Sequence, residues 1–151
     1  MEGENQLITE LKSKIKELKQ RNNNLESSLL INNTLIDNIP NLFVLLDTDC
    51  NILCLNEAMA KSLGNKKENL IGKNALDYFP PKVADFRTKM AHKVINTKKP
   101  VIFEDERDNR YFKQRLFPIL DSKGNVIQLA NMVEENTEEK KQLFERDGKT
   151  G

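Results

Sequence analysis

A single histidine and two cysteines in a chain of 151 residues leave little from which to build a reactive centre. Cys50 and Cys54 are separated by three residues and have no second pair, so neither a Cys/His zinc site nor a disulfide framework can be assembled. Both are expected as free thiols, and no metal site is expected. Glycine is also scarce, at six, and no Gly-rich phosphate loop or nucleophile–base pairing can be drawn. No catalytic residue is therefore expected, and an enzyme is the weakest reading. Charge of one sign is missing too: 24 basic residues against 23 acidic ones give no global field that would recommend nucleic acid or an anionic membrane as partner. The longest apolar run, residues 42–46, is far short of the ~20 residues of a membrane span. No signal-peptide pattern opens the chain, and cytoplasmic is the simplest location.

What the chain does have is concentrated in residues 110–141. Two β-rich runs, 111–120 and 126–133, flank Asp121-Ser122-Lys123-Gly124-Asn125. In that turn Asp121 can bond forward to the backbone and Gly124 can take a positive φ. If Leu120 pairs with Ile127, one face collects Phe112, Gln114, Leu116, Pro118 and Leu120 with Ile127, Leu129, Asn131 and Val133. The other face then holds Phe117, Ile119, Val126, Ala130 and Met132 among Lys113, Arg115 and Gln128. A three-residue loop with a glycine bulge reverses this parity. From Glu134 the run becomes Glu/Lys-rich, as an exposed helix leaving a sheet would be.

The N-terminal third carries heptads. Ile8, Ile15, Asn22, Leu29 and Ile36 fall at a, and Leu11, Leu18, Leu25, Asn32 and Ile39 at d. Ile at a with Leu at d favours a parallel two-stranded coiled coil, and Asn22 at a fixes register and strand number. The expectation is a homodimer joined through Ile8, Leu11, Ile15, Leu18, Asn22, Leu25 and Leu29. The plain alternative is a single amphipathic helix lying on its own domain. Pro40 ends this helix by pushing the residue before it away from helical geometry.

Between these ends, residues 42–46 and 52–55 read as two strands joined by Asp47-Thr48-Asp49-Cys50-Asn51. Asn56 is placed to cap a helix over 57–63 that Gly64 closes. A short helical piece over 75–79 stops at Pro80-Pro81, and a longer helix covers 82–97. On a helical wheel Val83, Phe86, Met90, Ala91, Val94 and Ile95 fill one arc, and His92 falls at the centre of the other. Residues 101–108 form a further strand that includes Phe103. This order predicts an α+β fold in which an antiparallel sheet is covered by helices on one face.

Several short motifs stand in a familiar order: Ile39-Pro40, Asp47-x-Asp49-x-Asn51-Ile52, Asn56-x-Ala58, Leu63-Gly64, Leu70-Ile71-Gly72-Lys73 and Pro118-Ile119-x-Asp121-x-x-Gly124-x-Val126. Together they make residues 35–141 resemble a PAS domain, the sensory module common in histidine kinases and related signalling proteins. The resemblance implies a five-stranded antiparallel sheet of strand order 2-1-5-4-3, a small pocket against the middle helices, and coiled-coil helices entering and leaving. The expected organisation is a helix over 1–38, a PAS domain over 39–137, and an output helix with a disordered tail over 138–151.

Family members often end in Asp-Ile-Thr before the output helix, and Glu135, Asn136 and Thr137 stand here in its place. Glu135 and Thr137 are the expected signal relay, bonding each other and capping the exit helix. In the blue-light flavin branch a reactive cysteine follows a Gly-x-Asn element. Gly72-Lys73-Asn74 is followed by Ala75, which has no thiol, so the resemblance does not extend to flavin adduct chemistry. Haem-binding members use a helix histidine that points into the pocket, whereas His92 falls on the polar arc and reads as exposed and structurally idle. No cofactor is named by the sequence.

Two functions follow. In the first, a small apolar or amphipathic ligand is held by Phe86, Met90, Phe103, Phe112, Leu116, Leu129 and Val133 and oriented by Gln114 and Asn131, with its state relayed to a downstream effector such as a histidine kinase. The two amides are equally well read as core amides satisfied by backbone or a buried water, and the apolar positions as plain core. In the second, the chain is a ligand-free dimerisation and protein-interaction module.

Overall fold

The computed structural model describes residues 1–149. By its contacts it divides into two compact units, Met1–Asn38 and a second from Ile39 onward. The first is one helix, α1 (Glu2–Asp37), with no buried residue. Its apolar heptad positions Ile8, Leu11, Ile15, Leu18, Leu25 and Leu29 are all exposed on it. The helix stops at Asn38, whose side-chain amide donates to the Thr34 carbonyl at 2.7 Å, two residues before Pro40.

The second unit is a five-stranded antiparallel sheet of order β2-β1-β5-β4-β3, formed by β1 (Leu42–Asp47), β2 (Ile52–Leu55), β3 (Val101–Arg107), β4 (Arg110–Leu120) and β5 (Val126–Glu135). The middle helices are α2 (Glu57–Ser62), α3 (Lys67–Leu70), a 3-10 turn (Ala75–Tyr78) and α4 (Pro81–Thr97). Together with the long N-terminal helix this is the α+β architecture, with the strand order, expected from the motifs.

The two hairpins flanking the central strands use one device. Asp47 Oδ1 accepts from the backbone N–H of Asp49 and Asn51 at 2.9 and 2.8 Å. Asp121 Oδ1 accepts from Lys123 and Asn125 at 2.9 Å each. In both, the Asn four residues on returns its side-chain amide to the same carboxylate. Such a carboxylate replaces the missing backbone partners of a tight turn. Gly124 sits at φ +83°, while in the first turn Cys50 takes φ +69° without being glycine. Asn56 ties the helices to the sheet: fully buried, it accepts from Met59 N–H at 3.0 Å, capping α2, and from Phe43 N–H on β1 at 3.1 Å.

The β4–β5 register follows the Leu120/Ile127 alternative as far as Ile119, which pairs with Gln128. A bulge between Ile119 and Leu120 then pairs Leu120 with Val126. That irregularity reverses the end of the ladder: Leu120 and Ile127 are exposed, and Val126 packs against the core.

Two boundaries differ from expectation. Residues 67–70, for which no element is expected, form α3. The C-terminal helix α5 (Thr137–Lys149) continues through residues expected to be a disordered tail from 146, of which 150 and 151 lie outside the described residues. Among the described residues no helix is long and apolar enough to cross a membrane, and no group of three His, Cys, Asp or Glu side chains is placed to hold a metal ion.

Candidate functional site

Strands place alternate side chains on one face, so β3, β4 and β5 turn Phe103, Phe112, Gln114, Leu116, Leu129, Asn131 and Val133 together beneath the helices. They wall a cavity of about 70 Å³ whose roof is made by the helices, with Met59, Leu76, Phe79 and Ala91 among its residues. Seven of the nine residues expected at a pocket therefore line it. Phe86 and Met90 do not. The inward face of α4 is rotated from the apolar arc drawn on the wheel, so that Arg87 and Ala91 meet the cavity. Phe86 is 40% exposed and meets Phe103 edge-on, with ring centroids 5.5 Å apart, while Met90 packs against the core outside the lining. His92 is exposed on the opposite side of the same helix.

Arg87 is the residue that sequence periodicity concealed. Its guanidinium lies 3.8 Å above the Phe79 ring and donates through Nη2 and Nε to Asp105 Oδ2 at 2.6 and 3.1 Å. Both side chains are largely buried, at 16% and 10% exposure. Burial pushes the Arg87 pKa down, and Asp105 opposes that shift.

From Asp105 the bonding continues inward. Gln114 Nε2 donates to Asp105 Oδ1 at 3.2 Å, and Asn131 Nδ2 donates to Gln114 Oε1 at 2.9 Å. A carboxylate only accepts, so Gln114 must turn its NH2 group toward Asp105 and its oxygen toward Asn131. Asn131 in turn must present its NH2 group there. The polarity of both amides is thus set by the ion pair rather than by their own neighbours. One atom is left over: Asn131 Oδ1 is buried without a hydrogen-bond partner.

A second guanidinium, Arg107, lines the cavity at its Phe79 side. It donates to the Ser62 hydroxyl and carbonyl oxygens at 3.1 and 3.3 Å, and lies 5.1 Å from the Phe112 ring centroid. Burial lowers its pKa, and the charges of Arg87 and Arg110 lower it further. Burial pushes both cysteine thiols up, reinforced at Cys50 by Asp47 and Asp49 and opposed at Cys54 by Lys67.

At the far end of β5 the structure brings the two expected relay residues together. Glu135 takes a bidentate pair from Arg110, at 2.9 and 3.0 Å, and accepts from the Thr137 hydroxyl at 3.0 Å. That hydroxyl also accepts from Tyr111 N–H at 3.0 Å, and Asn136 N–H donates to the Tyr111 carbonyl at 2.9 Å. Thr137 thus ties the helix start across to β4. The Asn136 carbonyl accepts the first bond of the helix, from Lys140 N–H. Further along α5, Lys140 reaches Glu104 on β3 at 2.8 Å and Phe144 meets Tyr111 at 6.0 Å between ring centroids.

Thr137→Ala is expected to cost about 1 kcal/mol through these lost bonds and to speed amide exchange over residues 138–144. Unchanged protection there would mean that the Arg110–Glu135 pair alone holds the helix. A pH dependence goes with it. The Arg110 hydrogen bonds hold the Glu135 carboxyl below its ordinary value, so the tie contributes at pH above the unfolded value of ~4.3 and is lost as pH falls through the folded one. Relative to the intrinsic exchange rates, which themselves fall with pH, the protection of the α5 amides should drop across that acid window in wild type, and much less so in Glu135→Gln.

A five-stranded antiparallel sheet cupping a cavity beneath short helices, with a further helix tied to the last strand, defines an α+β module. Within that class the chain belongs to the PAS family, whose sequence pattern, described as the PAS fold, matches residues 36–141. Solved structures similar to it include the PAS domain of Bordetella pertussis BvgS, 20% identical with TM-score 0.60, covering 82% of this chain and 98% of that one. A sensory box sensor histidine kinase from Vibrio cholerae is 20% identical with TM-score 0.58, covering 76% and 97%. The Vibrio cholerae VqmA dimer, a DNA-binding LuxR-type receptor, is 19% identical with TM-score 0.58, covering 72% of this chain and 52% of that one. No curated protein matches the chain closely.

Proposed function

We propose that the chain is a non-catalytic signal-transduction module that dimerises through α1, admits a small molecule to its core cavity, and passes the state of that cavity to α5 and a downstream effector of the histidine-kinase type. The observation that carries this reading is the continuity of the polar side chains. Arg87, Asp105, Gln114 and Asn131 are bonded in series across α4, β3, β4 and β5. β5 then runs directly into the Arg110–Glu135–Thr137 clamp at the start of α5. A ligand that alters bonding at Asn131 acts on the same strand that holds the exit helix, and it biases output only by differing in affinity between two arrangements. The exposed heptads of α1 supply the dimer, and the kinase neighbour supports the kind of effector.

A second reading, a ligand-free dimerisation module, is favoured by the size of the cavity. At about 70 Å³ it is roughly half the ~150 Å³ of an engineered cavity that takes up benzene. Native mass spectrometry of protein purified from its own host separates the two. A dimer carrying added mass supports the sensor, a dimer of bare chains supports the second reading, and a bare monomer overturns both.

A further inference from the structure

We infer that the core cavity selects a small molecule carrying an N–H or O–H donor and no positive charge, with Asn131 Oδ1 as the group that recognises the donor. The inference rests on the ligand reading above and deepens it. Asn131 is a wall residue at 8% exposure, and its oxygen is the one acceptor of the Arg87–Asp105–Gln114–Asn131 series left without a partner. Its polarity cannot be reversed cheaply. Turning the Asn131 amide over would set its oxygen against Gln114 Oε1, and turning Gln114 as well would set that residue's oxygen against the Asp105 carboxylate. The ion pair at one end of the series therefore holds an acceptor in place at the other.

Charge selection comes from the guanidinium groups. Arg87 and Arg107 both line the cavity. The Asp105 carboxylate does not line it, and its two oxygens are taken up by Arg87 and Gln114. An ammonium donor would satisfy Asn131 but meet a net positive charge, since Asp105 offsets Arg87 while Arg107 bonds only the neutral Ser62 oxygens, across apolar walls where the effective dielectric is low. An uncharged donor satisfies the oxygen without that repulsion. The remaining walls, with Leu116, Leu129 and Val133 among them, are largely apolar.

The cavity volume sets the probes. Pyrrole and furan are five-membered aromatic rings of nearly equal size that differ in one respect used here: pyrrole carries an N–H donor and furan does not. Pyrrolidine, protonated at neutral pH, adds the positive charge. Each is titrated into the full chain and followed by side-chain and backbone amide shifts. The expected result is that pyrrole binds at least about tenfold more tightly than furan, as befits a buried acceptor satisfied or left bare. Pyrrole should shift the Asn131 and Gln114 side-chain amides, and pyrrolidine should bind no better than furan. In Asn131→Leu the pyrrole preference should vanish while furan affinity is kept. Equal binding of pyrrole and furan to the wild type, with shifts in the cavity walls, overturns the donor inference and leaves the ligand cavity standing. Tighter binding of pyrrolidine overturns the charge selection. No cavity shift with any probe, as when a lone water satisfies Asn131, overturns the inference together with the ligand reading. The wild-type comparison decides these outcomes even if the Asn131→Leu variant does not fold.

Discussion

The double variant Leu18→Asp/Leu25→Asp is expected to sediment as a monomer at concentrations where the wild type is dimeric. Both leucines sit at d positions, and on α1 itself they are exposed, as are Ile8, Leu11, Ile15 and Leu29. A helix of 36 residues with no buried position has no packing of its own to stabilise it. In water such a helix draws most of its stability from an apolar face that meets something. If the partner is a second copy, the two substitutions place four carboxylates in one seam. An ionised carboxylate moved into apolar surroundings without a partner costs several kcal/mol, so the summed penalty exceeds the whole association energy of a micromolar dimer, about 8 kcal/mol. Helical circular dichroism should fall with the loss of the dimer. The sheet unit from Ile39 onward has its own core of buried Val44, Ile52, Leu55, Val94 and Leu129 and should still unfold cooperatively. A dimer that persists in the variant would assign the subunit contact to the outer sheet face, where Ile102 and Ile127 are exposed, and not to the helix.

The elements that local chemistry dictates are legible in the sequence alone. The Asp-x-x-x-Asn turns at 47–51 and 121–125, the Asn56 cap and the break before Pro40 each depend on residues within a few positions of one another. The β4–β5 face is legible because alternation fixes it, and the reading fails only past the bulge at Ile119/Leu120, which no alternation announces. The tight turn between β3 and β4 escapes notice because Asp108 and Asn109 both take positive φ without the glycine that usually marks such a turn.

The site is harder to see, and Arg87 shows why. A hydrophobic wheel assigns an arginine to solvent, and so it turns Phe86 and Met90 inward. What draws Arg87 inward is Asp105, 18 residues away on another element, together with the Phe79 ring. A partnership of that range has no signature in periodicity. The same holds for Arg107 against Ser62, 45 residues apart. Gln114 and Asn131 are recognisable as two amides on an apolar wall. Their bonded series and its leftover oxygen follow from the ion pair and become visible only with it.

Arg87→Met should therefore be the most damaging single substitution in the sheet unit. Methionine matches the length of the aliphatic stem and keeps contact with Phe79, so the loss is electrical more than steric. It strands the Asp105 carboxylate, 10% exposed, with Gln114 Nε2 as its remaining side-chain donor. Breaking a buried pair on one side typically costs about 3–5 kcal/mol, against a total stability of about 5–15 kcal/mol for a domain. Urea unfolding should show the midpoint falling by about a fifth or more, with the slope unchanged. Asp105→Asn alone should also destabilise, since it leaves Arg87 buried near a further cation, Arg107. The double variant Arg87→Met/Asp105→Asn removes both charges at once and should recover much of the loss, because a buried ion pair replaced as a unit is often close to neutral. In the double variant the amide oxygen introduced at position 105 can still accept from Gln114, so the amide polarity up to Asn131 is kept. The cycle built from these four proteins measures the coupling directly. A single-variant cost under about 1 kcal/mol, the range of a solvated surface pair, would mean that Arg87 and Asp105 are wet in solution. It would also mean that the series ending at Asn131 Oδ1 lacks its anchor.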